Sequence, residues 1–338
     1  MKERVILAIE SSCDETAVAI LRGDKLLINA VSTQISMHQQ YGGVMPELAS
    51  RLHTENIVYT LDTALKDANI KLEEVDAFAV TRGPGLIGAL HVGLQTAKTL
   101  ALLYHKPLIP VHHLAAHIYA SEFVKPLVFP LLAIVVSGGN TELVVMEKHL
   151  DFKTIGETRD DAIGECYDKI ARVLNLGYPG GIPIDRLAKT GEATYKLPSP
   201  ALGGSYDFSF SGLKTHVINL VNNTKQRGEE INVPNLCASF QKVAIDAIIK
   251  KGLKAAKEYK VKQVVIAGGV SANSYLRSEV LAKFPKIGVD PAIPPLWCCT
   301  DQAAMIAKLA SYLYDEKVLA GYDLGVDPNW EIEDFREF

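Results

Sequence analysis

The sequence lacks the features of a membrane, secreted or zinc-ribbon protein. Its longest apolar run, around Leu127–Val136, is about ten residues, whereas a membrane-spanning helix needs roughly 20. The N-terminus enters a strand-like segment without an apolar stretch and cleavage site, so no secretory signal is expected. The five cysteines are scattered and form no C-x-x-C pair, which argues against a disulfide framework and a zinc ribbon. We therefore expect a cytoplasmic protein without membrane association.

Positive charge is also scarce. The 338 residues include 35 Lys+Arg against 39 Asp+Glu, a formal net charge of −4. This balance argues against binding nucleic acid with the whole surface, but it permits a local basic patch or a partner that supplies one. The densest basic run holds six lysines, which we interpret first as a solvated helix face: Lys250, Lys251, Lys254, Lys257, Lys260 and Lys262.

The hydrophobic pattern predicts an α/β protein with an internal duplication. Short apolar strands alternate with segments of helical period, which predicts a mixed sheet. Each half opens with strand, turn and strand, so we expect a cleft between two related halves. The first half is predicted at residues 1–120 and is completed by a C-terminal helix at about 305–326. The second is predicted at 121–304, with a helical insertion at about 151–235 that lacks strand periodicity.

Two Gly-Gly turns follow buried strands, and we place them at equivalent positions of the duplicated pattern. One turn is Val136-Ser137-Gly138-Gly139-Asn140, and the other runs from Ala267 to Asn273. Glycines allow backbone N–H groups to approach an anion closely, so a nucleotide cradle is one interpretation. A tight structural turn is the other. The G-x-G-x-x-G segment Gly83–Gly88 is predicted to be structural, because no acid follows about 20 positions later.

Two further segments could handle cations. His113 and His117 are four residues apart and share one face of a helix, which suits two ligands of one metal. Asp301 is the candidate third ligand, and no glutamate follows His113 as in H-E-x-x-H peptidases. The N-terminal turn also combines a hydroxyl with acids, at Ser11, Asp14 and Glu15. Such a turn could bind phosphate and a cation, or it could be a polar hairpin turn without such a role.

An acidic cluster occupies the start of the predicted insertion. Asp160, Asp161, Glu165 and Asp168 lie within nine positions, so they form a solvated helix face or meet a cation or a hydroxyl-rich ligand. A glycine turn then opens a helix in which Asp185 could cap the helix or bind ribose hydroxyls.

The motifs resemble, in order, those of the TsaD family of tRNA threonylcarbamoyltransferases, whose archaeal and eukaryotic members belong to the KEOPS complex. The resemblance extends from about Ile6 to Lys308. Its motifs are AIESSCDETAVAI, QxxxHxxYGGVMPELASRxH from Gln34 to His53, GPGLIGAL, HxxxH, VSGGNTEL, DDAIGECYDKIARVLNLGYPGG, FSFSGLKT, GGVSANSYLR and CTDQAAM.

The resemblance implies a duplicated actin-like fold, shared with sugar kinases and heat-shock ATPases, with a helical insertion in the second half. It implies transfer of a threonylcarbamoyl group from threonylcarbamoyl-adenylate to N6 of the adenosine beside the anticodon of ANN-decoding tRNAs, with release of AMP. His113, His117 and Asp301 match the family's ligands for one divalent metal, usually iron or zinc.

Other positions match the family's substrate site. Val136, Ser137, Gly138, Gly139 and Asn140 resemble its substrate-binding loop. Four residues resemble those that hold the adenylate's sugar and base: Asp168, Gly181, Asp185 and Asn273. Three would line the same cleft as catalytic candidates: Glu15, Asp14 and Ser11. Asn140 stands where bacterial members commonly have histidine, although the surrounding motifs look bacterial, so we expect a bacterial-type protein with an exchanged loop residue.

The resemblance also implies partners. These are tRNA, a TsaB-like inactive paralogue that pairs with the first half, and a small TsaE-like ATPase, with a homodimer possible in their absence. A small-molecule kinase or a metal-dependent hydrolase of the same fold is the alternative function. Such kinases use acids and magnesium without a helical HxxxH, so the histidine pair favours the transferase. An inactive paralogue would lack the metal triad and the second Gly-Gly turn.

Overall fold

Residues 3–336 and 338 are described by a computed structural model, in which the chain divides into two units. One unit combines residues 1–122 with 300–338, and the other comprises residues 123–299. Each unit contains one five-stranded sheet. Among the described residues, no helix combines the length and hydrophobicity needed to cross a bilayer.

The first unit is built on a mixed sheet of order β3-β2-β1-β4-β5. Its strands are β1 (Val5–Glu10), β2 (Glu15–Arg22), β3 (Lys25–Thr33), β4 (Ala77–Gly83) and β5 (Leu108–His112). Its helices before residue 122 are α1 (Ile35–Gln39), α2 (Pro46–Ala68), α3 (Ile87–Tyr104) and α4 (His113–Tyr119). Strand β1 pairs antiparallel with β2 and parallel with β4. All residues of β1 are buried, as expected for a central strand covered on both faces.

The second unit repeats this arrangement with the order β8-β7-β6-β9-β10. Its strands are β6 (Leu131–Val136), β7 (Thr141–Met146), β8 (Lys153–Glu157), β9 (Gln263–Ala267) and β10 (Asp290–Ala292). Its helices are α5 (Ile163–Val173), α6 (Gly181–Ala188), α7 (Ser211–Gln226), α8 (Val233–Glu258) and α9 (Ser274–Lys283). Strand β6 pairs antiparallel with β7 and parallel with β9. The two sheets therefore share one topology, which confirms the duplicated α/β fold.

The last helix, α10 (Ala303–Asp315), belongs to the first unit and packs against β1 and β2. It is shorter than predicted from the sequence, because Lys317 adopts a positive φ of 57° and turns the chain after Glu316. The turn ends at Ala320, whose N–H donates to the carbonyl of Leu108 on the edge strand β5.

The insertion in the second unit is mostly helical, but the expectation that it lacks strands is wrong. Strand β8 lies within it and pairs antiparallel with β7 at the edge of the sheet. Only one of its five residues is buried, so the sequence shows little of the alternation by which strands are recognised. Strand β10 was also missed, because it has only three residues and includes Pro291.

Candidate active site

The first unit places a buried carboxylate at the end of its central strand. Glu10 is the last residue of β1 and is fully buried. Its Oε1 accepts a hydrogen bond from the Ser12 amide at 2.5 Å, and its Oε2 accepts one from the Thr81 hydroxyl at 2.6 Å. Oε2 also lies 3.0 Å from Nδ1 of His113. Because each oxygen has its own donor, the carboxylate is held in one orientation toward the histidine.

Helix α4 presents His113 and His117 one turn apart, with ring centroids 4.7 Å from each other. Asp301 lies two residues before α10 and approaches both rings. Its Oδ1 is 3.1 Å from Nε2 of His117 and 3.5 Å from Nε2 of His113. One ligand atom from each of these three residues lies within 4.8 Å of the others. The structure thus brings together the three residues that the sequence suggested as metal ligands.

These residues fit a divalent transition metal. Two imidazoles and one carboxylate form a donor set that zinc and iron bind in enzymes, with positions left for water or substrate. Glu10 contacts Nδ1 of His113, so Nε2 is the nitrogen that faces Asp301. In metal sites a carboxylate at the far nitrogen commonly fixes the tautomer and the ring orientation in this way.

Burial and neighbouring charges shift the pKa values of the residues in this cluster. Burial opposes the positive charge of His113, but Glu10 and Asp301 outweigh it and raise the pKa of His113 to about 10. Burial also lowers the pKa of His117, which leaves that imidazole neutral. The pKa of Asp301 lies well below its usual range, because the two histidines outweigh the effect of burial. The cluster therefore favours a positive charge between its acids, which either a proton or a metal ion supplies.

The N-terminal turn adds further acids to this cluster. Cys13, Asp14 and Asp301 also offer ligand atoms within 4.8 Å of one another. Burial, followed by the charge of Asp14, raises the pKa of Glu15 to about 9. The Thr33 hydroxyl donates a hydrogen bond to Oε1 of Glu15 at 2.8 Å. Burial and the neighbouring acids therefore favour the protonated form of Glu15, and a cation nearby would lower its pKa.

The hydroxyl of Ser11 is directed into the fold. It donates to the Ala89 carbonyl at 2.9 Å and accepts from the Gly93 amide at 3.1 Å, so it fastens α3 to the end of β1. The G-x-G-x-x-G segment is a structural turn, as predicted. Gly85 has a φ of +157°, and a Cβ on it would lie 2.6 Å from the Ser12 carbonyl oxygen.

Both Gly-Gly turns lie in the second unit, at the ends of the neighbouring parallel strands β6 and β9. Their placement at equivalent positions of the duplicated pattern is therefore wrong, because the duplicated strands are β1 and β6. Ser137 closes the first turn, since its hydroxyl accepts from the Asn140 amide at 3.0 Å. Gly268 has a φ of +86°, and a Cβ on it would lie 2.5 Å from the Val136 carbonyl oxygen. The second turn therefore needs glycine to pack against the first.

Four glycines leave open space at these turns and at the start of α6. A Cβ on any of them would meet no heavy atom within 4 Å: Gly138, Gly139, Gly269 and Gly181. At the first turn the Asn140 amide group donates to Oε1 of Glu142 at 2.9 Å. The backbone of the first Gly-Gly turn is thus accessible to a ligand, as an anion cradle requires.

Three of the candidate adenylate-binding residues make side-chain hydrogen bonds within the second unit: Asp168, Asp185 and Asn273. Asp168 accepts from the Gly180 amide at 2.7 Å, and Asp185 accepts from the Ser274 hydroxyl at 2.8 Å. Asn273 caps α9, because its Oδ1 accepts from the amides of Tyr275 and Leu276, both at 3.0 Å. Its Nδ2 donates to Gln241 at 2.7 Å. The capping role of Asn273 was not foreseen.

Two of the clustered acids of the insertion form ion pairs with lysines. Asp161 accepts hydrogen bonds from Nζ of Lys214 at 2.6 and 2.7 Å, and Lys169 bridges Asp161 and Glu165. Asp160 accepts from the first amides of α7, at Phe210 and Ser211. Asp161 and Glu165 are therefore ion-paired, and Asp160 caps a helix, so these three acids need no cation or ligand of their own.

Sequence reasoning assigned no role to two buried residues that shape the first unit's site. Glu10 lies in the motif AIESSCDETAVAI, but its partner His113 is 103 positions away, so the local sequence does not indicate their contact. His53 lies on α2 and bridges the N-terminal turn: Nδ1 is 2.7 Å from the Thr16 hydroxyl, and Nε2 is 2.9 Å from the Cys13 carbonyl oxygen. The available signals for His53 were its place at the end of the QxxxHxxYGGVMPELASRxH motif and its position on the buried face of α2.

Known proteins resemble the chain over nearly its whole length. A family model described as TsaD, tRNA N6-adenosine threonylcarbamoyltransferase, matches residues 25–308. A Bacillus cereus protein with that enzyme name is 53% identical over 335 residues, which cover 98% of each chain. A counterpart from Halalkalibacterium halodurans is 52% identical over 336 residues, again 98% of each chain.

A solved structure supports the fold. HypF from T. kodakarensis superposes with a TM-score of 0.64 at 14% identity, over 96% of this chain and 49% of that one. The chain thus spans about half the length of HypF, and at this identity the likeness concerns the fold alone.

Proposed function

Because the chain belongs to the TsaD family, we propose that it transfers the threonylcarbamoyl group of threonylcarbamoyl-adenylate to N6 of the adenosine beside the anticodon in ANN-decoding tRNAs. The N6 amine attacks the activated carbonyl carbon and a C–N bond forms. The bond from that carbon to the phosphate oxygen breaks, AMP leaves with that oxygen, and N6 gives up one proton to a base. The substrate is a mixed anhydride, so the reaction needs positioning and charge stabilisation more than a strong protein nucleophile.

The cluster of His113, His117 and Asp301 is the observation that carries this proposal. These residues would hold one divalent metal, with iron or zinc as the best match to two imidazoles and a carboxylate. A metal there supplies Lewis-acid stabilisation to an oxygen of the adenylate. Part of the protein's own role is to hold His113 in the metal-binding tautomer, and the contact from Glu10 to Nδ1 of His113 would do this.

Asp14 and Glu15 are the proposed acid–base groups for the N6 proton. Both are close to the metal-binding cluster, since Asp14 shares a possible ligand group with Asp301 and the charge of Asp301 helps to raise the pKa of Glu15. Glu15, with a pKa of about 9, would donate a hydrogen bond until the charges around it change. Ser11 would act by fixing the turn that carries both acids.

In the second unit, we propose that the first Gly-Gly turn binds anionic groups of the adenylate. Its members are Val136, Ser137, Gly138, Gly139 and Asn140. The open space beside Gly138 and Gly139 supports this role. The residues proposed to hold the sugar and base are Asp168, Gly181, Asp185 and Asn273. For Asn273 the contribution would come through α9, whose N-terminus it caps.

The proposed partners are tRNA, a TsaB-like paralogue and a TsaE-like ATPase, in the cytoplasm. Helix α2 offers a surface for the paralogue on the first unit, because Val58 and Tyr59 are 66% and 75% exposed. Exposed apolar side chains mark a protein interaction site when they belong to a contiguous patch. The same surface would support a homodimer when the paralogue is absent.

A mass-spectrometric assay for threonylcarbamoyl-adenosine tests this function. The reaction would contain unmodified tRNA, threonine, bicarbonate, ATP, an adenylate-forming synthase and the partners, with and without this chain. His113→Ala should reduce bound metal and product to background, because it removes a ligand. His91→Ala, an exposed histidine of α3, should keep both and serves as the matched control. Wild-type product formation by a metal-free His113→Ala protein would contradict the metal role, and no product from the complete wild-type reaction would contradict the function.

A further inference from the structure

Helix α8 carries a row of lysines that the proposed chemistry does not use. Lys250, Lys254 and Lys257 are exposed and follow the i, i+4, i+7 spacing of one helix face. With Lys283 of α9 they line an open groove of about 610 Å³. Its remaining lining residues are Asp246, Ile249 and Leu253. We name this feature the α8 groove.

Two acids near the α8 groove are already paired with lysines, and a third, Glu258, accepts a hydrogen bond from the Tyr206 hydroxyl at 2.7 Å. Asp246 forms an ion pair with Lys242 at 2.9 Å, and Glu279 forms one with Lys283. By contrast, Lys250 and Lys257 have no ion-pair partner among the residues that the structure describes. Lys254 lies over the ring of Tyr206, 4.8 Å from its centroid, which leaves its charge uncompensated by a carboxylate. The groove is therefore a local positive surface on a chain whose formal net charge is −4.

One lysine of the same sequence run has a different role. Lys251 is buried, and its Nζ donates hydrogen bonds to the carbonyl oxygens of Leu202, Ser205 and Asp207. It ties the insertion to α8. The interpretation of the whole run as a solvated face is thus wrong for Lys251, while Lys250 and Lys257 are exposed and have no ion-pair partner among the described residues.

We propose that the α8 groove binds the phosphate backbone of the tRNA substrate, an inference that rests on the proposed function. A polyanion is the partner that unpaired lysines in a row recognise. The three lysines extend over about 10 Å of helix, which spans roughly three phosphates of one strand. Lysine acts as a point charge without the fixed fork of arginine, so it positions a backbone rather than reads bases.

The test is tRNA binding by the full-length chain over a series of salt concentrations. The triple variant Lys250→Ala, Lys254→Ala, Lys257→Ala should bind unmodified tRNA about tenfold or more weakly at low salt. Its slope of log affinity against log salt should be shallower by about two to three, because each lost phosphate contact removes roughly 0.7–0.9. An unchanged affinity and slope would overturn the proposal.

Two control variants separate charge, position and folding. Lys25→Ala, Lys148→Ala, Lys317→Ala removes the same charge from exposed lysines elsewhere and should keep nearly the wild-type slope. Replacing the three groove lysines by arginine keeps the positive charge, so this variant should also keep nearly the wild-type slope. A loss of binding in the arginine variant, or an equal loss in the other lysine control, would contradict a specific phosphate contact.

The outcomes also distinguish this proposal from the proposed function. If the groove variant keeps tRNA affinity but no longer binds an acidic partner protein, the groove is a protein interface and the proposal is wrong. If the groove variant binds tRNA normally while the wild-type chain modifies it, the proposed function stands and the groove proposal fails. If the wild-type chain binds tRNA through the groove but forms no product in the complete reaction, the proposed function fails alone.

Discussion

Glu10→Gln tests whether the buried carboxylate of β1 prepares His113 for metal binding. In the wild-type chain the carboxylate accepts hydrogen bonds from the Ser12 amide and the Thr81 hydroxyl, and it contacts Nδ1 of His113. Glutamine has nearly the same shape but only one acceptor oxygen. If its oxygen faces His113, its NH₂ group opposes the Ser12 N–H. If its NH₂ group faces His113, Nδ1 must accept, and the proton moves to Nε2, which is the nitrogen that faces Asp301.

Either orientation has a cost of known size. A lost hydrogen bond to a charged group is worth about 1.5–3 kcal/mol, which corresponds to roughly a 10–100-fold weaker equilibrium. The same range, 10–100-fold in metal affinity, is typical when the partner of a ligating histidine is removed. We therefore expect Glu10→Gln to weaken Zn²⁺ binding about 10–100-fold, measured by competition with a chelator.

Glu15→Gln is the matched control for this measurement. It makes the same substitution at another buried glutamate of the same unit, but the carboxyl of Glu15 is hydrogen-bonded to Thr33 rather than to a histidine. Its Zn²⁺ affinity should stay within about threefold of wild type. Wild-type affinity in Glu10→Gln, or an equal loss in both variants, would refute the reasoning, provided that circular dichroism shows both variants folded.

Two further predictions concern stability. Gly268→Ala should lower the free energy of unfolding by about 1–3 kcal/mol in urea titrations, because its φ is +86° and the new Cβ would meet the Val136 carbonyl oxygen at 2.5 Å. At Gly269 a new Cβ would meet no heavy atom within 4 Å, so Gly269→Ala should lower the free energy of unfolding by less than about 1 kcal/mol. Equal losses of stability in the two variants would contradict the argument. Lys214 and Lys169 outweigh burial and lower the pKa of Asp161, so its stabilisation is present above about pH 4 and is lost as pH falls through the folded-state pKa. Asp161→Asn should therefore be less stable than wild type near neutral pH, with the difference shrinking in acid, and a constant difference would contradict this role.

The parts of the fold with strong local patterns could be predicted from the sequence. Buried strands were predicted before both Gly-Gly turns, and β6 and β9 stand there, because an apolar run precedes a clear turn signal in each case. The histidine pair was recognised because four-residue spacing on a helix is local information. By contrast, the contacts of Glu10 with His113 and of Asp161 with Lys214 join residues 103 and 53 positions apart. No periodicity reports such pairs, since only the tertiary fold brings them together.

The duplication separates what the fold requires from what the chemistry requires. In each unit a glycine follows the strand that pairs in parallel with the central strand, and it lies close to the backbone at the end of the central strand. These glycines are Gly85, which lies against Ser12, and Gly268, which lies against Val136. A side chain there is excluded for steric reasons in both units, so these glycines serve the fold. The last residue of the central strand differs, because it is Glu10 in β1 and Val136 in β6, and both are buried. Burying a carboxylate costs stability unless it is paired, so a charged residue where the repeat accepts valine indicates a function. The contact of Glu10 with His113 supports the proposal that the first unit holds the metal, with His113, His117 and Asp301 as its ligands.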